Sequence, residues 1–556
     1  MRVVLATMIL SAFCAGAAES TDVTLAIPAA GERLVERIDP KGAERTTVSF
    51  AVPISDIQQL WTPDLKQPFL DRKWWVFKDS APQHDMPYLA LFNLAEQNRF
   101  SFGSESLEWD NHIESKIDQQ SGVYRIKLTV VAGPKGALKP FKVTLDRRPL
   151  AWTRVLADWR DSLGYAKGNY PEAAWRPVYC SWYAVHAAVT QDWTERTAAI
   201  AADLGFGTFI LDDGWSYDEA KRVNPTTIKT WYRDVGEWTA FSKVKFPDFK
   251  AHRERMRKTG MKYIVWTAPY FLGTRSPAYR KWGCDQWSDQ PFEGNVLTDV
   301  TDGKVMESVT EQLVTLLKTA DLGGLKIDFL DYIKPSIEKP RGAASLAYVE
   351  ELMKRLREVK PDGIFEFRQS YANPIMAHLG TQFRAGDVPF EWLSNLMRIA
   401  QIRLAMGDKV PIHADPIFWS DAETDDNVAR HFLAAMAGVP MLSIDLERLT
   451  QERRETVRRY LRLYETRIAR FHREGHWDVL FRNGGLAGVT SVLPDEGLVI
   501  VNDVASAPDL FAGLGPRKLT VLNLGFRPVT LPDGRTVAPA AYEWLKTHKE
   551  QGVRHR

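Results

Sequence analysis

Charged side chains interrupt a short apolar segment, LGGLKIDFLDY, at residues 322–332. Two glycines stand near the start of this segment, and the residues after them have the composition of a buried strand. Because side chains alternate along a strand, Lys326 and Asp328 share one face while Leu325, Ile327 and Phe329 share the other. An ammonium group close to a carboxylate favours the ionised form of the acid. The pattern therefore predicts an interior, ionised carboxylate at Asp328, which suits a nucleophile.

Polar residues recur at the ends of other apolar segments. They are Asp212-Asp213-Gly214-Trp215 at the end of the second segment, Glu366 and Arg368 in the fifth, Arg384 and Asp387 in the sixth, His413 and Asp415 in the seventh, and Asp445 in the eighth. Carboxylates, cations and indoles around one opening suit a small neutral polyol, because charged groups bind hydroxyls strongly and an indole packs on a sugar ring. The histidines lack the spacing of a zinc site, so we expect no metal and no cofactor.

Glycoside hydrolysis needs two carboxyl groups on either side of one glycosidic bond. Asp387 is the best candidate for the partner of Asp328, although Gly-Asp-x-Pro also suits a turn. Asp212 and Asp213 also suit a helix cap, and Glu366 and Arg368 also suit a mutual ion pair.

Eight apolar segments alternate with helical patterns between residues 151 and 472, and they must position these side chains. They span 177–186, 207–215, 261–270, 324–332, 363–371, 381–389, 410–418 and 439–446. Strands followed by helices over about 300 residues predict a (β/α)8 barrel, whose active site lies at the carboxyl ends of the strands. An open doubly wound sheet is the alternative, but no G-x-G-x-x-G opens a helix.

The flanking regions are rich in short strand patterns. Residues 18–150 contain apolar-aromatic runs separated by turn residues, which predict an N-terminal β-sandwich. Residues 473–556 predict a small C-terminal β-sandwich. The predicted fold class is therefore a multidomain α/β protein with β domains on both sides of a (β/α)8 barrel spanning 151–472.

The N-terminus reads MRVVLATMILSAFCAGAAES, which has the form of a secretory signal cut after Ala17. We therefore expect residues 1–17 to be removed and the protein to be exported, to the periplasm or outside the cell. Cys14 raises the alternative of a lipid anchor, but Ser11-Ala12-Phe13 fits a lipoprotein signal poorly. No later segment has the length of a membrane helix, so no membrane span is expected.

Composition narrows the possible partners. A formal net charge of +2 without a long run of one sign argues against nucleic acid as the main partner. Cys180 and Cys284 are too few for a metal cluster or a disulfide framework. We expect two buried thiols, with a single bridge as the alternative. The oligomeric state is not predicted.

Three segments resemble a known enzyme family. FPDFKAHRERMRKTGMKYIVWTAP (246–269), LDDGW (211–215) and GLKIDFLDY (324–332) resemble the α-galactosidases of glycoside hydrolase family 36, in the melibiase-like clan shared with family 27. The resemblance is best over about 175–390. It implies an N-terminal β-sandwich, a central (β/α)8 barrel and a C-terminal β domain, together with a retaining mechanism that needs no metal.

The resemblance also implies residue roles. It places the nucleophile at Asp328 and the acid/base at Asp387, with Arg384 as a substrate contact and Lys326 on the sugar hydroxyls. Asp212 and Asp213 fall on the pair that holds the C4 and C6 hydroxyls of galactose. Trp215 and Trp266 fall where family tryptophans stand near the sugar, and Trp215 is the better candidate for a sugar platform.

The chain also departs from the family pattern. Ile327 and Phe329-Leu330 replace the usual Trp and Met-Asn around the nucleophile, and Gly386 replaces the usual Ser before the acid/base. The fifth segment reads FEFRQSYANP instead of a pattern with Cys and Gly-Gly. These changes keep both catalytic carboxylates and alter the pocket wall, so the sugar is less defined than the reaction.

The predicted function is a secreted, retaining α-glycoside hydrolase, most simply an α-galactosidase, that acts on an oligosaccharide or other glycoside. Glu366, Arg368 and Asp415 are further candidate substrate contacts. The alternatives are a non-catalytic carbohydrate-binding protein, a transglycosylase, and an α-glycosidase for another sugar.

Overall fold

The computed structural model describes residues 20–63, 70–71, 74–133, 136–282, 289–515 and 517–545. The predicted signal segment, with Cys14, and the second cysteine, Cys284, lie outside the described residues. Cys180 is a free, buried thiol, and its Sγ donates a hydrogen bond to Asp212 Oδ2 at 3.2 Å. Export stays a prediction.

The described residues before 150 form two facing β-sheets. Their strands are β1 (Ser20–Thr24), β2 (Arg33–Ile38), β3 (Arg45–Pro53), β4 (Gln59–Trp61), β5 (Leu70–Asp71), β6 (Trp75–Ser80), β7 (Tyr88–Phe92), β8 (Asn98–Ser104), β9 (Asp110–Asp118), β10 (Val123–Val131) and β11 (Phe141–Asp146). One sheet has the order β1-β3-β10-β9-β6 and the other β2-β11-β8-β7-β4-β5. Alternate residues of β10, such as Ile126 and Leu128, are buried against Leu89 and Phe102 of the second sheet. This is the predicted N-terminal sandwich.

The strands of the central barrel are all parallel. They are β12 (Val178–Cys180), β13 (Thr208–Leu211), β14 (Lys262–Thr267), β17 (Gly324–Ile327), β18 (Ile364–Arg368), β19 (Gln382–Arg384), β20 (Ile412–His413) and β21 (Met441–Leu442). Within the described chain their order is β20-β19-β18-β17-β14-β13-β12-β21. A parallel bridge between His413 and Val439 connects the two ends of this sheet. The barrel is therefore closed, and the doubly wound alternative is wrong.

Helices and turns surround the barrel. The α-helices are α1 (Trp152–Ser162), α2 (Trp182–Val185), α3 (Gln191–Leu204), α4 (Phe249–Lys258), α5 (Pro277–Trp282), α6 (Gly303–Thr319), α7 (Gly342–Val359), α8 (Trp392–Met406), α9 (Asp425–Ala435), α10 (Gln451–Leu463) and α11 (Ala469–Glu474). A π-helical turn, Tyr464–Ile468, joins α10 to α11. Shorter 3-10 turns lie at Glu172–Trp175, Thr227–Arg233, Leu330–Tyr332, Gln369–Tyr371, Pro374–Met376 and Leu446–Arg448. A hairpin of β15 (Phe271–Gly273) and β16 (Asn295–Leu297) is inserted after β14.

Local sequence signals explain where the barrel helices begin and end. Thr190 precedes α3, and its hydroxyl accepts a hydrogen bond from the Trp193 amide. The helix ends at Gly205, which has φ +108. Asp302 caps α6 in the same way as Thr190 caps α3. Such caps satisfy amides that the first turn of a helix leaves unpaired, and glycine is the residue that best adopts the left-handed end.

The C-terminal region is a β-sheet that packs against the barrel. Its strands are β22 (His476–Arg482), β23 (Gly485–Val492), β24 (Glu496–Val501), β25 (Lys518–Asn523) and β28 (Ala541–Leu545), paired in that order. A ribbon of β26 (Val529–Thr530) and β27 (Thr536–Val537), a 3-10 turn (Val504–Ser506) and α12 (Ala507–Ala512) complete it. One face, with Val499 and Val521, packs on α12 and the ribbon.

One hydrophobic core runs through all three regions. The other face of the C-terminal sheet, including Leu486 and Val489, belongs to the same buried cluster as the apolar layer between the barrel strands and their helices. Trp152 of α1 packs on Phe92 of the N-terminal sandwich at 5.0 Å between ring centroids and on Phe481 of the C-terminal sheet at 5.5 Å. The barrel therefore shares its apolar packing with both flanking β regions.

The described ranges contain no helix with the length and apolar character that crossing a membrane requires.

Gly324 allows β17 to lie close to β18. It has φ +149, and a Cβ at this position would lie 1.9 Å from the carbonyl oxygen of Ile364. We expect Gly324→Ala to lower the free energy of unfolding by about 3 kcal/mol or more, because the backbone of the strand pair must move. Urea unfolding measures this change.

Gly303→Ala is the matched control for Gly324→Ala. Gly303 begins α6, and no described atom lies within 4 Å of a Cβ built there. Alanine at this position should change the free energy of unfolding by no more than about 1 kcal/mol. Equal losses in the two variants would contradict the close strand approach.

Candidate active site

A cavity of about 570 Å³ opens at the carboxyl ends of the barrel strands. Parallel registers set the height of each side chain: Lys326 lies level with Trp266 and Glu366, and Arg368 lies level with Arg384. The predicted site residues that line the cavity are Asp212, Asp213, Trp266, Lys326, Asp328, Arg368, Arg384 and Asp387. The closed barrel thus brings together side chains that are up to 175 residues apart in the sequence.

Lys326 lies between two buried carboxylates. Its Nζ is 2.7 Å from Asp212 Oδ2 and 3.7 Å from Asp328 Oδ2, and all three side chains are almost fully buried. Burial alone would lower the pKa of Lys326, but the fields of Asp212 and Asp328 together oppose it, so the pKa is raised. The ammonium therefore stays charged and acts as the counter-ion of both acids.

Asp328 is held in one orientation. The Trp266 indole donates to its Oδ2 at 3.1 Å, and the Phe329 amide donates to its Oδ1 at 3.0 Å. Phe329 has φ +61, an uncommon left-handed conformation for an aromatic residue. Burial would raise the pKa of Asp328, but Arg368 and Lys326 outweigh it and hold the pKa below its usual value. The carboxylate is therefore ionised, as the sequence pattern predicts.

Asp213 presents an oxygen that lacks a partner. Its Oδ2 accepts from the Trp231 indole at 2.6 Å and from the Tyr217 hydroxyl at 3.2 Å. Its Oδ1 is buried, and no donor in the described part of the chain reaches it. Burial raises the pKa of Asp213 to about 6. A buried acceptor on a cavity wall without a partner is suited to a ligand hydroxyl.

One guanidinium contacts both candidate catalytic acids. Arg368 Nη2 lies 2.7 Å from Asp387 Oδ2, and Arg368 Nη1 lies 3.6 Å from Asp328 Oδ1. Asp328 and Asp387 therefore face the same cavity, with one guanidinium bridging them. Asp328 is buried, whereas about half of the Asp387 side chain is exposed.

The charge on Asp387 depends on the two arginines. Burial would raise its pKa, but Arg368 and Arg384 outweigh burial and hold the pKa of Asp387 well below the usual range. Solvent screens part of this field, because the side chain is half exposed. Asp387 is therefore a carboxylate paired with two cations.

Glu366 and Asp415 do not line the cavity, so their prediction as direct substrate contacts is corrected. They hold Arg384 from behind: its Nη1 is 2.6 Å from Asp415 Oδ1, and its Nε is 3.3 Å from Glu366 Oε1. Asp415 also accepts from the Val388 amide at 2.7 Å, next to Asp387. Burial raises the pKa of Asp415 to about 7, although Arg384 opposes this. Both acids position the groups that reach the cavity.

Trp215 also lies away from the cavity, so its prediction as a sugar platform is corrected. It is fully buried, packs on Trp238 and Phe241, and donates its indole N–H to the Trp266 carbonyl at 2.8 Å. Trp215 therefore supports the end of β14, whereas Trp266 faces the site. His413 is buried too, with Nε2 2.7 Å from the Ala174 carbonyl oxygen.

Several lining residues were missed by sequence reasoning. Five of them are aromatic: Tyr183, Tyr232, Phe292, Tyr332 and Phe390. Tyr183 follows the first barrel strand in CSWYAVH, so a strand-end rule extended to aromatic residues would find it. Tyr232 belongs to a 3-10 turn in a long irregular segment, where no periodicity marks it.

The described residues contain no group of three or more His, Cys, Asp or Glu side chains arranged to hold a metal ion.

No protein-family model matches the chain. Among curated proteins, it is 23% identical over 276 residues to alpha-galactosidase 2 from Pediococcus pentosaceus, covering 45% of this chain and 35% of that protein. The chain therefore spans about a third of that relative's length.

Solved structures have the same fold. The galactosidase domain of the alpha-galactosidase-sucrose kinase AgaSK has a TM-score of 0.65 at 16% identity, covering 91% of this chain and 74% of that one. A variant of the GH36 alpha-galactosidase AgaA from Geobacillus stearothermophilus, in complex with raffinose, has a TM-score of 0.63 at 14% identity, covering 84% and 69%. The three-part fold class predicted from the sequence is confirmed.

Lys326→Met should lower the free energy of unfolding by about 3–5 kcal/mol, because Asp212 and Asp328 lose their shared buried counter-ion. Chemical denaturation measures the loss. Lys262→Met is the control, since Lys262 pairs with the exposed Asp362 near the start of β14, and an exposed pair contributes about 1 kcal/mol or less. A loss in Lys326→Met no larger than in the control would show that the buried network is not held by this ammonium.

Proposed function

We propose that this chain, which resembles the α-galactosidases of glycoside hydrolase family 36 in sequence and in fold, is a retaining α-glycoside hydrolase that releases terminal α-galactose. The observation that carries the proposal is the pair Asp328 and Asp387, which lie over one cavity and contact the same guanidinium. Retaining enzymes need two carboxyl groups about 5–5.5 Å apart. The sequence resemblance itself is confirmed by the curated relatives and the solved structures.

Asp328 is the proposed nucleophile. It is ionised, buried and fixed by Trp266 and the Phe329 amide, so little reorganisation precedes attack. A carboxylate oxygen bonds to the anomeric carbon while the glycosidic C–O bond breaks. Asp387 gives its proton to the departing oxygen. Water then attacks the glycosyl-Asp328 ester, Asp387 accepts the water proton, and Asp328 leaves with its electron pair.

Asp387 must hold a proton in the first step. Its ion pairs with Arg368 and Arg384 favour the ionised form. A bound sugar brings hydroxyl acceptors to Arg368 and excludes water from Asp387. Both changes raise the pKa of Asp387, the first by weakening its contact with the guanidinium and the second by desolvation. Protonation is thereby coupled to occupancy of the cavity.

The deep end of the cavity binds sugar hydroxyls in this proposal. Asp213 Oδ1 has no donor in the described protein, and Lys326 can donate to a hydroxyl beside Asp212. The AgaA structure in complex with raffinose supports an oligosaccharide with terminal galactose as the substrate class. Arg368 stands in the segment that departs from the family pattern, so an α-glycosidase for another sugar is the second candidate.

A panel of aryl α- and β-glycosides tests the reaction. Wild type should release the phenol from the α-galactoside, and Asp328→Asn should lower kcat by about 10³-fold or more. Asp362→Asn, a change at an exposed carboxylate near the start of β18, is the matched control. Asp387→Ala should lose activity on substrates with poor leaving groups and regain it with azide. Full activity of Asp387→Ala on such substrates would overturn its role.

Arg368→Gln should move the whole pH profile of kcat/KM upward. Arg368 lowers the pKa of both Asp328 and Asp387, so its removal raises both. Asp328 must be ionised, so the acidic limb moves to higher pH; Asp387 must be protonated, so the alkaline limb moves in the same direction. We expect each shift to be about one pH unit.

Arg125→Gln is the control for this pH experiment, because Arg125 forms an exposed pair with Asp118 in the N-terminal sandwich. Its profile should match that of the wild type. Unmoved limbs in Arg368→Gln would show that this guanidinium does not set the charge of the two acids.

A further inference from the structure

A second cavity of about 500 Å³ adjoins the first at the barrel mouth. Tyr183, His186 and Phe390 line both. We call it the outer cavity and define it by Phe390, Phe418, Trp419, Arg222, Asp421 and Arg448. None of these residues was predicted from the sequence to have a functional role.

The outer cavity lies on the side of the general acid. Phe390 follows Asp387 by three residues, and the intervening loop is fixed to the end of β20: the Val388 amide donates to Asp415, and the Phe418 amide donates to the Pro389 carbonyl at 3.1 Å. In a retaining glycosidase the acid protonates the departing oxygen, so the leaving group extends past the acid. The hydroxyl-binding end, at Asp213, is deeper in the barrel.

The walls of the outer cavity have the chemistry of a sugar site. Phe390 is 63% exposed, and its ring is fixed edge-on to Phe418, with centroids 5.3 Å apart. A fixed, exposed ring offers an apolar platform to the face of a pyranose. Arg448 pairs with Asp421 on the same wall, and Arg222 is exposed beside them. Asp445 lines the cavity as well, so two arginines and two carboxylates supply donors and acceptors for hydroxyls without an excess of one charge.

We propose that the outer cavity is the subsite for the leaving-group sugar, a neutral hexose unit that stacks on Phe390 and hydrogen-bonds to the Arg448–Asp421 pair. This inference rests on the proposed function, and it names the part of the substrate beyond the bond that is cleaved. A binding surface at this position favours oligosaccharides over simple glycosides, because a second sugar ring adds binding energy in the transition state.

The test compares two substrates in each variant: an α-galactosyl-hexose disaccharide and methyl α-galactoside, which has no ring beyond the cleaved bond. The readout is the ratio of kcat/KM for the disaccharide to kcat/KM for the methyl glycoside. Phe390→Ala should lower this ratio about tenfold, the amount that corresponds to loss of one aromatic contact. Arg448→Gln should lower it in the same direction by about threefold.

Leu393→Ala is the matched control, because Leu393 is an exposed apolar residue near Phe390 that lines neither cavity. Its ratio should equal that of the wild type. Unfolding curves of all variants establish that the ratios come from folded protein.

The possible outcomes separate the two proposals. If the wild type cleaves both substrates and neither Phe390→Ala nor Arg448→Gln changes the ratio, the subsite is overturned while the hydrolase stands. If the wild type cleaves neither substrate, calorimetry of Asp328→Asn with the disaccharide decides the subsite. If Asp328→Asn binds the disaccharide and adding Phe390→Ala weakens that binding, the subsite is supported and the reaction is not. If Asp328→Asn does not bind the disaccharide, both proposals are overturned.

Discussion

A single buried ammonium decides how the site of this protein is built. Lys326 is close to Asp212 at the end of β13 and to Asp328 just after its own strand. Without it Asp212 would lose its buried counter-charge and Asp328 would depend on Arg368. The position of Lys326 depends on the register of β17 with β14 and β18. The ion network and the strand register therefore support each other, and this explains the lysine and the aspartate on the inward face of the segment 322–332.

The two arginines at the mouth of the cavity differ from each other in how firmly they are held. Arg384 is buried, and Glu366 and Asp415 hold it from behind. Arg368 is more exposed; it forms ion pairs with the two acids themselves, and its guanidinium lies over the Phe329 ring, 5.4 Å from the centroid. A ligand can therefore change the partners of Arg368 without disturbing Arg384. The site therefore combines buried ion pairs that stay in place with one cation, Arg368, that can exchange its partners when a ligand binds.

Sequence patterns predicted the barrel because each of its strands is a short apolar run near a helix signal, and strand alternation predicted the inward Lys326 and Asp328. The depth of each side chain within the barrel was harder to predict. Glu366 and Arg368 share a face of β18, but only Arg368, which is nearer the carboxyl end of the strand, reaches the cavity. Trp215 follows Gly214, where φ +111 turns the chain away from the opening. Tyr232 comes from an irregular segment, whose placement depends on tertiary packing that local periodicity does not record.

The core that runs from the N-terminal sandwich through the barrel to the C-terminal sheet has a consequence for modularity. Trp152 touches aromatic rings on both sides, and the inner face of the C-terminal sheet is packed into the barrel cluster. A barrel cut out alone would expose these apolar surfaces to water. The barrel holds the site, but the barrel and both flanking β regions must fold together. Recombination could therefore not move the barrel alone into another protein as an independently folding unit.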